Sequence, residues 1–328
     1  MTASNPSRPD VSIVVPVYRS EGILPHLVAQ VQAAMQGSDV ADRFELILVN
    51  DASPDGSWQV IRELAARHPF VKGICLAKNF GQHNATMAGL NHAIGDVVVI
   101  MDDDLQHPPQ TIMSLVSAVR DGFDVCYTTY EKRKHAFWKR LGSWFNDRVA
   151  SFLLNKPRGL YLSSYKAMQR RVAQEVIRYD GPYAYVDGLI LDITRHITSV
   201  PIQHQARHEG KGNYGLRRSI SLWLKMATSF SIIPLRIASF TGLVLALVSA
   251  IAMIAVIVEK FRHPETPAGW ASMLVIVLFM GGLQLLCLGV IGEYLGRAYL
   301  KLNHKPQFAV RERIGCAVPS KIESDDAQ

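Results

Sequence analysis

The apolar pattern starts with a β-branched run, VSIVVPV at 11–17, read as a buried strand. A helical pattern follows from about Glu21 to Met35. FELILVND at 44–51 is a second strand. ASPDGS after it supplies turn chemistry and a helix cap, and the helix runs to about Arg67. VKGICLA at 71–77 is a third strand and HNATMAGLNHAIG at 83–95 a helix of small residues. DVVVIM at 96–101 is a fourth strand, 109–121 a helix, and FDVCYTT at 123–129 a further strand. Strands alternating with helices of about ten to fifteen residues predict βαβ units. The expectation is an α/β domain over 11–213 with a doubly wound, mostly parallel sheet. Such sheets bind ligands at the carboxyl ends of their strands, where Tyr18, Asp51 and Asp102–Asp104 fall.

The pattern changes after residue 213. Residues 214–235 read as an amphipathic helix at a membrane interface, with Leu222, Trp223 and Phe230 beside Arg217, Arg218 and Lys225. Residues 237–258 and 266–292 then contain no Asp, Glu, Lys or Arg. About 20 helical residues cross roughly 30 Å of hydrocarbon. The two runs therefore predict a transmembrane hairpin, with spans over 236–258 and 270–292 and a short outer loop at 259–269. Two buried helices of a soluble protein are the alternative. Lys and Arg flank the hairpin on its inner side: Arg217, Arg218, Lys225 and Arg236 before it, and Arg297, Lys301, Lys305, Arg311 and Arg313 after it. The connecting loop has only Lys260 and Arg262, so both termini are expected in the cytoplasm. Residues 293–328 read as a cytoplasmic C-terminal helix and tail. Residues 1–10 read as a disordered N-terminus without the apolar core of a signal peptide.

Composition narrows the function. The four cysteines, Cys75, Cys126, Cys287 and Cys316, form no CxxC pair, which argues against zinc and disulfides. The net charge of +7 admits nucleic acid. So does the basic stretch 130–150, YEKRKHAFWKRLGSWFNDRVA, with its interleaved aromatics. Beside two membrane spans, attraction to anionic lipid and phosphorylated substrates is the simpler reading, and no nucleic-acid partner is expected.

The chemistry concentrates where a strand runs into three consecutive aspartates, in MDDDLQHPP at 101–109. Packed carboxylates repel and are costly to desolvate unpaired. Asp102, Asp104 and Gln106 offer hard oxygens at alternate positions, the donor set that Mg²⁺ or Mn²⁺ uses to bridge carboxylates to a substrate diphosphate. A solvated acidic turn is the plainer alternative.

With these residues in place, the chain resembles the family 2 glycosyltransferases of the GT-A fold. Within them it resembles the membrane-anchored polyprenyl-phosphate glycosyltransferases, the group of dolichol-phosphate mannose synthases and bacterial undecaprenyl-phosphate sugar transferases. The resemblance covers about residues 10–310. It rests on VVPVY, LVNDASPDGS, NFGQHNATMAG, MDDDLQHPP, RHEGKGNY and GEYLGR together. It implies an inverting enzyme that moves one sugar from a nucleoside diphosphate sugar to a polyprenyl phosphate at the cytoplasmic membrane face, for cell-envelope glycans or lipopolysaccharide, with a divalent metal. A homo-oligomer is compatible with it.

The resemblance also implies roles. Pro16, Tyr18, Asp51, Ser53, Asp102 and Asp103 would line the nucleotide site. Asp102, Asp104 and Gln106 match the metal-binding D-x-D-x-Q. Arg133, Lys139 and Ser143 fall where the family grips the acceptor phosphate. Arg207 matches the arginine of a loop that closes over the donor diphosphate, with Lys211 nearby; Asp102, Asp104 and Arg207 are the expected catalytic groups. Three positions depart from the family pattern. Arg19-Ser20 replaces Asn-Glu, Asn213 stands where Lys is common, and Leu160 replaces a carboxylate. Asp187 is then the nearest carboxylate, as a sugar contact or a helix-start cap. His83 is expected to line the donor cleft and His107 to shape a turn.

A phosphate monoester has its second pKa near 6, so the acceptor is already a nucleophile at neutral pH and needs no base. Two alternatives remain. A processive polysaccharide synthase would carry QxxRW and usually more spans, and neither is found. A non-catalytic scaffold or flippase partner would not need an intact D-x-D-x-Q.

Overall fold

The computed structural model describes residues 8–130, 157, 160–202, 233–262, 269–303 and 305–316. It divides into two compact units, 1–213 with 304–328, and 214–303. The first holds eight strands: β1 (Val11–Val17), β2 (Phe44–Asn50), β3 (Val71–Leu76), β4 (Val97–Ile100), β5 (Val125–Tyr130), β6 (Lys166–Gln169), β7 (Ile197–Ile202) and β8 (Val310–Ile314). Its helices are α1 (Leu24–Gln36), α2 (Ser57–Arg67), α3 (Gln82–His92), α4 (Ile112–Arg120), α5 (Arg170–Val176) and α6 (Val186–Ile193).

All eight strands form one sheet in the order β7-β5-β6-β4-β1-β2-β3-β8. The centre, β4-β1-β2-β3, is parallel, as the βαβ pattern requires. The flanks keep the sheet mostly parallel, with six of the eight strands running one way, and add two strands of opposite direction. β6 runs antiparallel to both β4 and β5, β8 runs antiparallel to β3, and only β5–β7 is parallel. The sheet is therefore mixed.

Period-2 alternation divides the core. Val11, Ile13, Val15 and Val17 of β1 face a cluster holding Leu24, Leu27 and Val31 of α1, Ile61 and Leu64 of α2, and Ile112 and Leu115 of α4. Val14, Ile47, Val49, Val98 and Ile100 face the opposite cluster, with Met87 and Leu90 of α3, Val172 of α5 and Ile190 of α6. Gly89 brings α3 close to the sheet: a Cβ there would stand 2.3 Å from a Val14 methyl and 3.1 Å from a Val49 methyl.

Strands β6, β7 and β8 are absent from the sequence reading for identifiable reasons. KAMQ is four residues with two polar side chains. ITSVPI carries Pro201, which an edge strand tolerates. VRERI sets charged residues on the opposite edge, the usual protection against edge pairing. The last of these corrects the expectation of a tail within 293–328, since residues 310–314 complete the sheet, while the expected helix is present up to Leu302.

The second unit contains two long helices, α7 (Ile233–Arg262) and α8 (Trp270–Leu302). Among the described residues one stretch, Phe279–Leu300 of α8, is long and apolar enough to cross a membrane. Large apolar side chains stand exposed on both helices, Phe240, Leu247 and Ile251 on one and Phe279, Leu285 and Leu288 on the other. The expected interfacial helix at 214–235 lies almost wholly outside the described residues.

Candidate active site

The order of the central strands reverses at β1, which has β4 on one side and β2 on the other. In open α/β sheets that switch point opens a crevice at the carboxyl ends of the strands. Backbone strain marks the same edge. Arg19 (φ 59°), Ala52 (φ 48°) and Leu105 (φ 54°) are left-handed without being glycine, and they follow β1, β2 and β4 respectively. Each such residue costs of order 1–3 kcal/mol and persists only where its surroundings enforce it.

The three aspartates after β4 part company in space. Asp102 accepts hydrogen bonds from Gln82 Nε2 (2.6 Å) and from the Ser164 hydroxyl, with His107 Nε2 3.7 Å away. Burial alone would raise its pKa. The His107 ring, the Ser164 hydroxyl and the charge of Lys166 outweigh burial and hold it below the ordinary value, so Asp102 is ionised. Asp103 turns back to β1, accepting from the Tyr18 amide (3.1 Å) and the Ser20 hydroxyl. Burial pushes its pKa up to about 6, opposed by Ser20 and Tyr18 and reinforced by Asp102 and Asp104. Asp104 accepts the amide of Gln106 at 3.1 Å. Three like charges coexist on one turn because they point at different partners and one of them gives up its charge easily.

Around β1 and β2 the expected nucleotide residues form a braced rim. Pro16 is buried in β1 and Tyr18 is exposed. The guanidinium of Arg19 stands 5.5 Å from the centre of the Tyr18 ring. Ser53 accepts the Arg19 amide (2.8 Å) and donates to Asp55. Asp51 is buried and its two oxygens accept the amides of Phe80 (2.7 Å) and Gly81 (2.8 Å), which ties the loop after β3 to the end of β2. Burial raises its pKa, with those two amides pulling it down.

Beside Asp102 lies a cavity of about 180 Å³ whose wall includes Gln82, His83, Ser164, Lys166, Tyr185 and Asp187. Sequence reasoning missed Lys166, a buried cation in this wall. Its ammonium is ion-paired with Asp187 and lies 5.1 Å from the centre of the Tyr127 ring. Tyr127 donates its hydroxyl to the same Asp187 oxygen at 3.0 Å. Asp187 sits in the first turn of α6, where it neutralises Lys166 and does not cap the helix. His83 packs edge-on against Tyr185, with centroids 5.1 Å apart. Burial pushes its pKa down, opposed by Asp187 and Asp102. His107 is buried against Tyr165 as well as near Asp102, so it belongs to the site as much as to its turn.

Among the described residues no group of three or more His, Cys, Asp and Glu converges as a metal cage. The donor set nevertheless fits a hard cation. Mg²⁺ is usually held by one or two carboxylates and substrate phosphates, and Asp102 is ionised with Asp104 two residues on. Arg133, Lys139, Ser143, Arg207 and Lys211 lie outside the described residues.

The sequence matches a known family. The profile described as Glycosyl transferase family 2 covers residues 12–177. The chain is 32% identical over 305 residues to an uncharacterized glycosyltransferase of Bacillus subtilis, YkcC, covering 93% of this chain and 94% of that protein. It is 32% identical over 326 residues to the undecaprenyl-phosphate 4-deoxy-4-formamido-L-arabinose transferase of Pseudomonas syringae, covering 97% and 94%. A mannosyltransferase of Pyrobaculum calidifontis, solved with GDP-Man and Mn²⁺, shares the fold. Its TM-score is 0.50 at 17% identity, over 90% of this chain and 85% of that one.

Proposed function

The chain belongs to glycosyl transferase family 2, and on that premise we propose that it moves one sugar from a nucleoside diphosphate sugar to a polyprenyl phosphate, inverting the anomeric centre, at the cytoplasmic face of a membrane. The observation that carries this reading is the placement of Asp102 at the β1/β4 switch point, its two oxygens held by Gln82 and Ser164, beside Asp104 and a small cavity. The Pseudomonas syringae relative, an undecaprenyl-phosphate sugar transferase, supports the acceptor class.

In this reading Asp102, Asp104 and Gln106 hold a divalent cation, Mg²⁺ or Mn²⁺, which when bound offsets negative charge on the diphosphate. Tyr18, Asp51 and Ser53 border the nucleotide. An oxygen of the acceptor phosphate attacks the anomeric carbon. The bond from that carbon to the diphosphate oxygen breaks, and the nucleoside diphosphate leaves with the electron pair. The phosphate dianion needs no base, so placement is what the protein contributes. Arg207 and Lys211 hold the leaving diphosphate. The helices α7 and α8 serve as a two-span hairpin with both ends in the cytoplasm. Their exposed Phe, Leu and Ile side chains would be unfavourable in water and suit lipid.

Arg133, Lys139 and Ser143 are assigned to the acceptor phosphate. Removing one cation from a charge-assisted contact costs about 1.5–3 kcal/mol, roughly ten- to a hundredfold. Lys139→Ala is therefore expected to cut use of lipid phosphate by that factor and to leave nucleotide-sugar binding within about threefold, less than roughly 1 kcal/mol. Donor titration by calorimetry beside transfer assays at varied lipid concentration reads both quantities. Loss of donor binding with lipid use intact would reassign the basic stretch to the nucleotide.

A further inference from the structure

The cavity beside Asp102 has a charge balance of its own. Lys166 is 2% exposed and Asp187 6% exposed, and the two form an ion pair inside the wall. Tyr127 adds its hydroxyl to the same carboxylate, so Asp187 is satisfied twice. The rest of the wall mixes polar groups, an amide, a hydroxyl, an imidazole and a phenol from Gln82, Ser164, His83 and Tyr185, with the apolar side chains of Ile100, Leu162 and Val186.

We propose that this cavity receives the sugar ring of the donor and that the buried Lys166–Asp187 pair makes it select uncharged sugars over sugar acids. The inference rests on the reading of the protein as a nucleotide-sugar transferase. Position supports it first. Gln82 and Ser164 line the cavity and also hold the two oxygens of Asp102, so a group in the cavity is one side chain away from the carboxylate assigned to the diphosphate. Size agrees. At about 180 Å³ the space falls below the roughly 300–1,000 Å³ of pockets for drug-sized ligands. It suits one small polar ring and excludes a nucleotide.

Charge then sets the preference. A neutral sugar exchanges its water contacts for the hydroxyl, amide and ring groups of the wall and leaves the ion pair alone. A uronate brings a buried negative charge beside Asp187. The neutral donors of the wall give it no full countercharge, and drawing Lys166 towards it separates a buried pair, which is strongly destabilising. Asp187 acts through Lys166 as a specificity-determining residue.

The test uses the full chain in detergent with Mn²⁺, titrated by calorimetry with UDP, UDP-glucose and UDP-glucuronic acid, and with GDP, GDP-mannose and GDP-mannuronic acid; dTDP, ADP and CDP are titrated as well. For the nucleotide that binds, the neutral sugar is expected to bind at least about tenfold tighter than its acid. Asp187→Asn keeps the shape and frees the charge of Lys166, so the preference should shrink about tenfold or reverse. The double variant Lys166→Gln with Asp187→Asn is neutral again and should restore it. Equal binding of acid and neutral sugar by the natural chain overturns the proposal, and that comparison decides alone should the variants fail to fold. A single variant that weakens both donors equally also overturns it, because that pattern reports only lost packing. If none of UDP, GDP, dTDP, ADP and CDP binds, the reading as a nucleotide-sugar transferase fails. If a nucleotide binds without discrimination between acid and neutral sugar, only this inference does.

Discussion

Asp104→Ala should abolish sugar transfer, by on the order of a thousandfold, while the protein still folds and enters the membrane fraction. The two halves of that expectation have separate causes. Within the described structure the carboxylate accepts the Gln106 amide at 3.1 Å, a local bond within its own turn. Losing one such bond costs about 1 kcal/mol, a small share of a typical 5–15 kcal/mol of stability. For catalysis the same carboxylate is assigned to the charge that develops on the leaving diphosphate, where removing one preorganised electrostatic contact costs about 10²–10³. Loss of a cation site as a whole adds to that. Nucleotide binding should lose its dependence on Mn²⁺ in parallel. Transfer assays with intact-mass and thermal-unfolding controls read both halves. Near-normal turnover would remove Asp104 from the site.

Ending the chain at Asn303 should lower the unfolding temperature of the first unit by roughly 10 °C and promote its aggregation. The segment after α8 does three jobs. Strand β8 covers the edge of β3, pairing Ile74 with Arg313 and Cys75 with Glu312, and the amide of Ala77 donates to the carbonyl of Ala309 at 2.8 Å. Gln307, 8% exposed, donates its amide to the carbonyls of Tyr179 (3.2 Å) and Gly181 (2.9 Å). Phe308 and Val310 pack on the core cluster that includes α3. Without the segment, buried carbonyls lose their partners at about 1–3 kcal/mol each. Burial of the two apolar side chains is lost as well, at up to about 1.5–3 kcal/mol each. A loss of several kcal/mol corresponds to the stated shift, at about 2–4 °C per kcal/mol for a domain of this size. The exposed β3 edge invites pairing between molecules. An unchanged melting curve would show that β8 is dispensable.

The central sheet was legible because its strands are written twice, once as apolar runs and once as the turn chemistry that ends them. VSIVVPV is β1 to the residue, and FELILVND is β2 but for its last residue, Asp51. What failed to show was whatever the period-2 signal does not carry. β8 alternates Val, Arg, Glu, Arg and Ile at an edge, where charged residues are useful and the pattern resembles a tail. Within the site, the aspartates announced themselves by their number. Lys166 did not, because a single lysine in a four-residue strand carries no spacing signal. Its meaning comes from Asp187, 21 residues away, and Tyr127, on the neighbouring strand. The strain at Arg19, Ala52 and Leu105 was equally silent, since none of the three is a glycine.

The most direct test of the account is the identity of the product. The purified full chain, with Mn²⁺, undecaprenyl phosphate and the nucleotide sugar it binds, should yield a lipid in which one sugar is joined to a single phosphate. Mass spectrometry of the lipid extract counts the phosphorus atoms, and NMR of the anomeric centre reads its configuration against that of the donor. The account predicts one sugar, one phosphorus and an inverted anomeric centre. A lipid diphosphate, a retained anomer, or sugar extended onto a growing polysaccharide with the lipid phosphate untouched would contradict it.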